Sequence, residues 1–394
     1  MLPLLVPAGP GNTAPVDLLV AVALGACLFW VGSNSRRLRF PFAVSIAVFM
    51  AGGALGAIAG PVPSAGVVAI VQDIVLLLWC WAVVNVASTP QRLKTLLATW
   101  AYSSIVWVTL LAVGLLTGVS FFTGQTAREG SRTALTLHDP NVSANYYFVS
   151  MMVLWATQRP RRRGLRVAAY VLFLVALLST GSNSGIVSTL VGVSVAMAAG
   201  IYRRWGAAPA VTLLACLLVG GYLASANISI AHLQQKAYAS RYSFLRDGIG
   251  RGAVSVAQRD SLLHESKHLY ESGGPLGAGP VSTKPRLQAE LAPFVKEAHD
   301  DYFAALIERG VVGFIGLFFF MGSLGFRTVA VARTRGAALG AVVSKPNALV
   351  GAVAGTMVAE TVYELLHVRH VWTLFAFVAA IAIWSRDWRG SGAS

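Results

Sequence analysis

The chain has 394 residues and a formal net charge of +15, yet only 12% of its residues are charged and 56% are hydrophobic. A soluble domain carries roughly twice that charged fraction, so the composition excludes an ordinary water-soluble enzyme or binding module. The basic surplus is not a nucleic-acid signature either, since no zinc pattern, P-loop or Rossmann glycine run occurs in a suitable context.

Apolar runs able to cross about 30 Å of hydrocarbon lie near 16–32, 40–60, 66–88, 95–118, 141–157, 166–180, 185–201, 208–227, 302–326, 346–366 and 371–385. In that layer every backbone amide must be bonded within its own segment, so the runs predict helices. The expectation is an all-α polytopic bundle of about eleven spans, one membrane-embedded domain over 1–394. The opening segment, MLPLLVPAGPGNTAPVD, has no Lys or Arg and so lacks the positive region of a cleaved signal. Cys27, Cys80 and Cys216 all fall within spans, which argues against a disulfide framework. Intramembrane acids are functional suspects. Asp73 in the third run is one, and Glu360 and Glu364, four apart on the tenth, are others, with structural pairing the competing reading.

Cations set the orientation. Arg36, Arg37 and Arg39 follow the first span, Arg92 and Lys94 the third, and Arg159, Arg161, Arg162, Arg163 and Arg166 the fifth. Arg203 and Arg204 follow the seventh, Arg327, Arg333 and Arg335 the ninth, and Arg386 and Arg389 the last. Every second connection is therefore basic, as cytoplasmic loops are, and most of the net charge meets anionic headgroups there. The N-terminus and segments 119–140, 180–185, 228–300 and 367–370 are then outside, and the C-terminus inside.

The segment 228–300 breaks the pattern of short connections, and long ordered loops are where function concentrates. It carries Arg241, Arg246, Arg251, Arg259, Lys267, Lys284, Arg286 and Lys296 against the inside rule, which points to an anionic ligand or to a solvated amphipathic cap. Residues 256–270 have helical spacing with Leu262, Leu263 and Leu269 as an apolar face, and GGPLGAGP at 273–280 ends it in a tight turn. The ninth span then opens as EAHDDYFAALIERGVVGFIGLFFF. His299 stands at its mouth, with Asp300 and Asp301 favouring the positive helix end. Gly310, Gly313 and Gly316 form a small-residue ridge suited to close packing. An interfacial histidine is either a base poised near neutral pH or a group bonded to a neighbouring helix. Glu308 likewise faces the site or bonds a neighbour.

Four segments in register resemble a known family. His299-Asp300, nine residues, Gly310, two residues and Gly313 look like the His-[Asn/Ser/Gln]-x9-Gly-x-x-Gly signature of the O-antigen ligase family, which also contains Wzy-type polysaccharide polymerases and some protein O-oligosaccharyltransferases. Arg259 followed by Gly273-Gly-Pro-Leu-Gly-Ala-Gly279 resembles the family's external loop, LHDPNVSANYY at 137–147 its Asn-Pro-Asn element, and STGSNSGIV at 179–187 its Thr-Gly-Ser-Arg-Ser-Gly element. Asp300 stands where the family usually has an amide or hydroxyl, and Asn183 where many members carry Arg.

The resemblance implies a GT-C-like glycosyltransferase of the bacterial plasma membrane, working on its outer face without nucleotide sugar and without metal or other cofactor. It moves a glycan from a polyprenyl diphosphate to a hydroxyl acceptor with inversion, the acceptor being a lipid, a growing polymer or a protein. His299 would be the general base, and Arg259 would hold the diphosphate through the planar guanidinium fork. Arg246 and Arg241 are secondary cation candidates. Asp300, Tyr302 and Asn183 complete the expected substrate-binding set. The implied partners are the lipid-linked donor, the acceptor and membrane lipids, with no nucleic acid. Three alternatives stay open. A flippase of lipid-linked glycans would call for midplane charges and matched broken helices. A metal-dependent GT-C transferase would use a polyprenyl-monophosphate sugar at Asp300-Asp301, although neighbours on a helix point about 100° apart. A membrane O-acyltransferase would not need the external arginines.

Overall fold

The structure is a computed structural model that describes residues 15–33, 38–125, 130–135, 137, 139–227, 230–241, 246, 250, 252–292, 295, 300–334, 337–385 and 387–390. Each expected span is a helix: α1 (Pro15–Ser33), α2 (Ala43–Ala59), α3 (Pro63–Val86), α4 (Pro90–Thr117), α5 (Pro140–Thr157), α6 (Arg163–Ser179), α7 (Asn183–Trp205) and α8 (Ala207–Asn227). The long loop contributes α9 (Gly252–Gly273) and α10 (Thr283–Ala289), followed by α11 (Asp301–Arg333), α12 (Pro346–Glu360) and α13 (Arg369–Trp384). Helices α3, α4, α7 and α11 are long and apolar enough to cross a membrane, and α2, α13 and parts of α1 and α8 form shorter apolar helices. The chain is a polytopic membrane protein built of helices.

Local chemistry sets the helix starts. Pro90 and Pro140 occupy first-turn positions where a missing N–H costs nothing, behind Thr89 and Asp139, whose side chains accept first-turn amides. Ser182 caps α7 and Asp300 caps α11 in the same way. Span ten departs from the reading. The expected run over 346–366 ends at Glu360, and residues 361–368 form turns, so Glu364 shares no helical face with Glu360. At fifteen residues α12 rises only about 22 Å.

In hydrocarbon, helices associate by close packing rather than by expelling water. The core therefore sits where large side chains interlock and small ones let backbones touch. Helix α5 is buried along most of its length, and Phe148, Phe320, Leu349, Phe375 and Phe377 share one buried cluster with it. Phe320 stacks on Trp372 at 5.5 Å between centroids. Gly192 of α7 and Gly351 of α12 bring two backbones together: a Cβ on Gly351 would stand 2.1 Å from the Gly192 carbonyl oxygen.

One end of the bundle is basic and stapled by aromatics. Arg92 lies over Trp30 at 4.6 Å, Arg327 over Phe42 at 5.0 Å and Arg39 over Trp384 at 5.5 Å. The indoles of Trp384 and Trp388 donate to the carbonyls of Val84 and Ser88, both at 2.9 Å. Arginines lying on aromatic faces are the chemistry of a membrane–water boundary. The described parts of the four family-like segments gather at the other end.

Candidate active site

Two docking events organise that other end. The first joins the turn of the long loop to α11. At Gly310 the helix breaks, with φ +64 and ψ −169. A break in a spanning helix strands carbonyls and amides that cost several kcal/mol each when unsatisfied. Here the turn supplies the partners. The N–H groups of Ala278 and Gly279 donate to the carbonyls of Ile307 (3.0 Å) and Glu308 (2.8 Å), and the Val311 N–H donates to the Pro275 carbonyl (2.9 Å). Only glycine permits this approach, for a Cβ on Gly277 would meet the Gly310 nitrogen at 2.4 Å. The Glu308 carboxylate completes the junction, accepting the Val281 N–H at 2.8 Å and the Thr283 N–H and hydroxyl at 3.2 and 2.7 Å. Leu269 of α9, Leu287 of α10 and Ile307 of α11 form a small buried cluster beneath it.

The expected ridge of Gly310, Gly313 and Gly316 is thus divided in its work. Gly310 receives the loop, whereas Gly313 and Gly316 pack on α2, where a Cβ on Gly316 would stand 2.3 Å from the Phe49 nitrogen. Asp73, whose role the sequence left open, accepts from Arg309 at 2.6 Å, and that guanidinium also lies over Phe49 at 4.0 Å. Glu308 turns to the long loop, at Val281 and at Thr283, which opens α10.

The second docking event joins the Asp139-Pro140-Asn141 element to the Thr180–Ser184 element through Arg132, a buried residue that the sequence reading passed over. Its Nε donates to the Thr180 carbonyl at 2.7 Å and one terminal nitrogen to Asn141 Oδ1 at 3.3 Å. Ser182 donates to the same Asn141 oxygen at 2.8 Å. A lysine cannot span two acceptors in this fixed fork. Arg132→Lys is therefore expected to lower stability by about 1–3 kcal/mol, the scale of an unsatisfied buried group. Unfolding of the detergent-purified variant against the unaltered protein measures it, and an unchanged midpoint would count against this role.

The turns at 361–368 link the two. Asp301 accepts the Leu365 N–H at 2.7 Å and the Leu366 N–H at 3.2 Å, and the Tyr363 hydroxyl donates to Asp139. Nearby, His370 is hydrogen-bonded to Asn145 at 2.8 Å.

The expected site residues fall unevenly on this frame. Asp300 accepts the amides of Tyr302 (2.8 Å) and Phe303 (3.0 Å), and burial lifts its carboxyl above the ordinary value while those amides pull it down. Asp300 and Asp301 are each committed to backbone groups on different segments. Tyr302 is half-buried, its hydroxyl donating to the Met357 carbonyl at 3.4 Å. Asn183 is exposed in the first turn of α7. Arg241 and Arg246 are exposed in the loop. Arg259 belongs to α9, with its side chain outside the described residues, and His299 lies outside them altogether, one position before the Asp300 cap.

Comparison with known proteins is consistent with this architecture. Residues 168–318 match the family described as Wzy_C, O-Antigen ligase, the same family that the motifs resemble. No curated protein matches the chain. The matched segment runs from α6 to α11 and includes the whole long loop with its docked turn. It supports ligase- or polymerase-like glycosyl transfer at a membrane in general, with lipid-linked glycan as the substrate class.

Proposed function

We propose that the protein transfers a glycan from a polyprenyl diphosphate to a hydroxyl acceptor on the extracytoplasmic face of a bacterial plasma membrane. The observation that carries this reading is the seating of the Pro275–Gly279 turn in the Gly310 break, within the segment matched to the family. It ties the arginine-bearing loop to the helix that His299 precedes.

The chemistry follows from the leaving group. A diphosphate is already activated, so the protein has to orient it, neutralise its growing charge and accept one proton from the attacking hydroxyl. In this reading Arg259 pairs with the diphosphate oxygens, with Arg246 and Arg241 adding to the field. His299 accepts the acceptor's proton as its oxygen attacks the anomeric carbon. The bond to the diphosphate breaks on the opposite side, the anomeric centre inverts, and the electron pair leaves on phosphate. Tyr302, Asp300 and Asn183 complete the substrate-binding set. The family's general activity and the basic, aromatic-stapled far end, which suits the cytoplasmic boundary, both support this orientation. A fixed-cation mechanism needs no metal ion.

Reconstituted protein is expected to transfer glycan from an undecaprenyl- or decaprenyl-diphosphate donor, with product identified by mass spectrometry, and to keep its rate in excess EDTA. Arg259→Ala is expected to weaken donor binding, and Arg259→Lys to restore only part of it, since the charge survives but the fork does not. Transfer from a monophosphate sugar alone, restored by Mg²⁺ after EDTA, would replace this reading with the metal-dependent one at Asp300-Asp301.

A further inference from the structure

At this end Glu308 commits its side chain to the backbone of the long loop. Its oxygens hold Val281 and Thr283, and nothing in the transfer chemistry above uses them. Val281 is exposed and has φ +58, a left-handed conformation that a β-branched residue adopts only at a cost of order 1–3 kcal/mol. Such strain persists where surrounding bonds over-determine it, and the Glu308 carboxylate is the group bonded to that amide. The neighbouring backbone is committed too: the carbonyl of the same Glu308 accepts from Gly279, on the other side of Pro280. One residue thus grips the turn on both sides of Pro280, by its main chain and its side chain.

From this geometry we infer that Glu308 is a positioning residue for glycan transfer, a clasp that fixes the segment 273–283 in the break of α11 and so sets the spacing between α9 and the head of α11. The inference rests on the transfer reading above, in which α9 carries the donor-holding Arg259 and His299 stands at that head. The reason for a clasp is mechanical. Arg259 lies fourteen residues before the end of α9, about 21 Å along the helix axis. Over such a lever a small tilt at the turn becomes ångströms at the arginine, and a 1 Å misplacement can cost on the order of 10² in rate. Carbonyl-to-amide bonds alone leave the turn free to rock about Pro280, whereas the carboxylate beyond it prevents the rotation.

The test separates the clasp from the fold and from the reaction. Glu308→Ala removes the grip, and Glu308→Gln keeps an oxygen for Thr283 but turns an NH₂ toward the Val281 amide. Two quantities are read on full-length, detergent-purified protein with matched elution and melting. One is hydrogen exchange in peptides covering 273–283. The other is single-turnover transfer per bound donor, a rate that a loss of folded fraction does not change. Exchange in that segment should rise in Glu308→Ala with exchange in α11 unchanged. The rate per bound donor should fall about 10²-fold while donor affinity shifts less than about threefold, and Glu308→Gln should fall between. Unchanged exchange, or unchanged rate per bound donor, would overturn the proposal. So would a slowed reaction with a firmly docked turn, since the carboxylate would then be acting on something else. Failure of the unaltered protein to transfer from any diphosphate donor would sink the assigned reaction, and the positioning role with it, whereas the exchange result would still show whether the turn depends on Glu308.

Discussion

His299→Ala is expected to slow glycan transfer by about 10²–10⁴-fold, the usual contribution of one acid–base group, with donor affinity nearly intact. A sugar hydroxyl is a poor nucleophile until its proton has a destination, and imidazole is the side chain whose affinity for a proton suits neutral pH. The nearest acid in sequence, Asp300, is a weak substitute. Its carboxylate already accepts the amides of Tyr302 and Phe303, so taking up the base role would uncap α11. The same cap makes the variant a fair test of chemistry, because Asp300 supplies the side-chain cap of α11. Donor binding and single-turnover rates on protein of matched elution profile make the comparison. A variant that turns over at the unaltered rate would remove His299 from the mechanism.

Gly310→Ala is expected to undock the turn at 273–283 from α11. A non-glycine residue at φ +64 and ψ −169, a region that belongs almost wholly to glycine, costs about 1–3 kcal/mol. The larger obstacle is steric: the new Cβ would lie 2.3 Å from the Pro275 carbonyl oxygen and 2.4 Å from the Leu276 carbonyl carbon, both backbone atoms that cannot swing aside. The turn must leave, releasing the three backbone hydrogen bonds that join it to Ile307, Glu308 and Val311, each worth about 1 kcal/mol net. Transfer should fall by at least about 10²-fold and exchange in 273–283 should rise. Gly325→Ala, on the same helix with nothing within 4 Å of its added carbon, is the matched control and should change neither. Full activity in Gly310→Ala would mean that the docked turn has no part in the reaction.

Much of this fold was legible in the sequence because hydrocarbon imposes so few options. Apolar runs became helices, and alternating cations marked one end. The boundaries that failed are physically instructive. TVYELLHV after Glu360 is apolar enough to read as helix, but two of its amides are taken by Asp301 from another segment, a competitor that hydropathy cannot register. The glycines of α11 have a packing period, and that period conceals a change of role, since backbone angles and the arrival of a remote turn distinguish Gly310 from Gly313. Arg132 was passed over because it lies, with Arg128, in an aperiodic loop, and its importance rests on acceptors supplied by residues 141 and 180. Asp73 was noticed as a buried acid, yet its partner Arg309 sits far along the chain and was read only as part of a glycine-spaced helix.

The glycine face of α2 has a consequence for how the chain is assembled. Gly52 is closed over by Gly313, Gly56 by the Glu308 carbonyl and Gly60 by Ala278. All three partners emerge from the ribosome long after α2 has entered the membrane. Contacts between such distant stretches of chain form late, and until they do a grooved helix stays open to lipid or to an unrelated neighbour. Chains interrupted before α11 is complete would carry that groove permanently, a recognisable mark of an unfinished protein for the membrane's quality-control proteases.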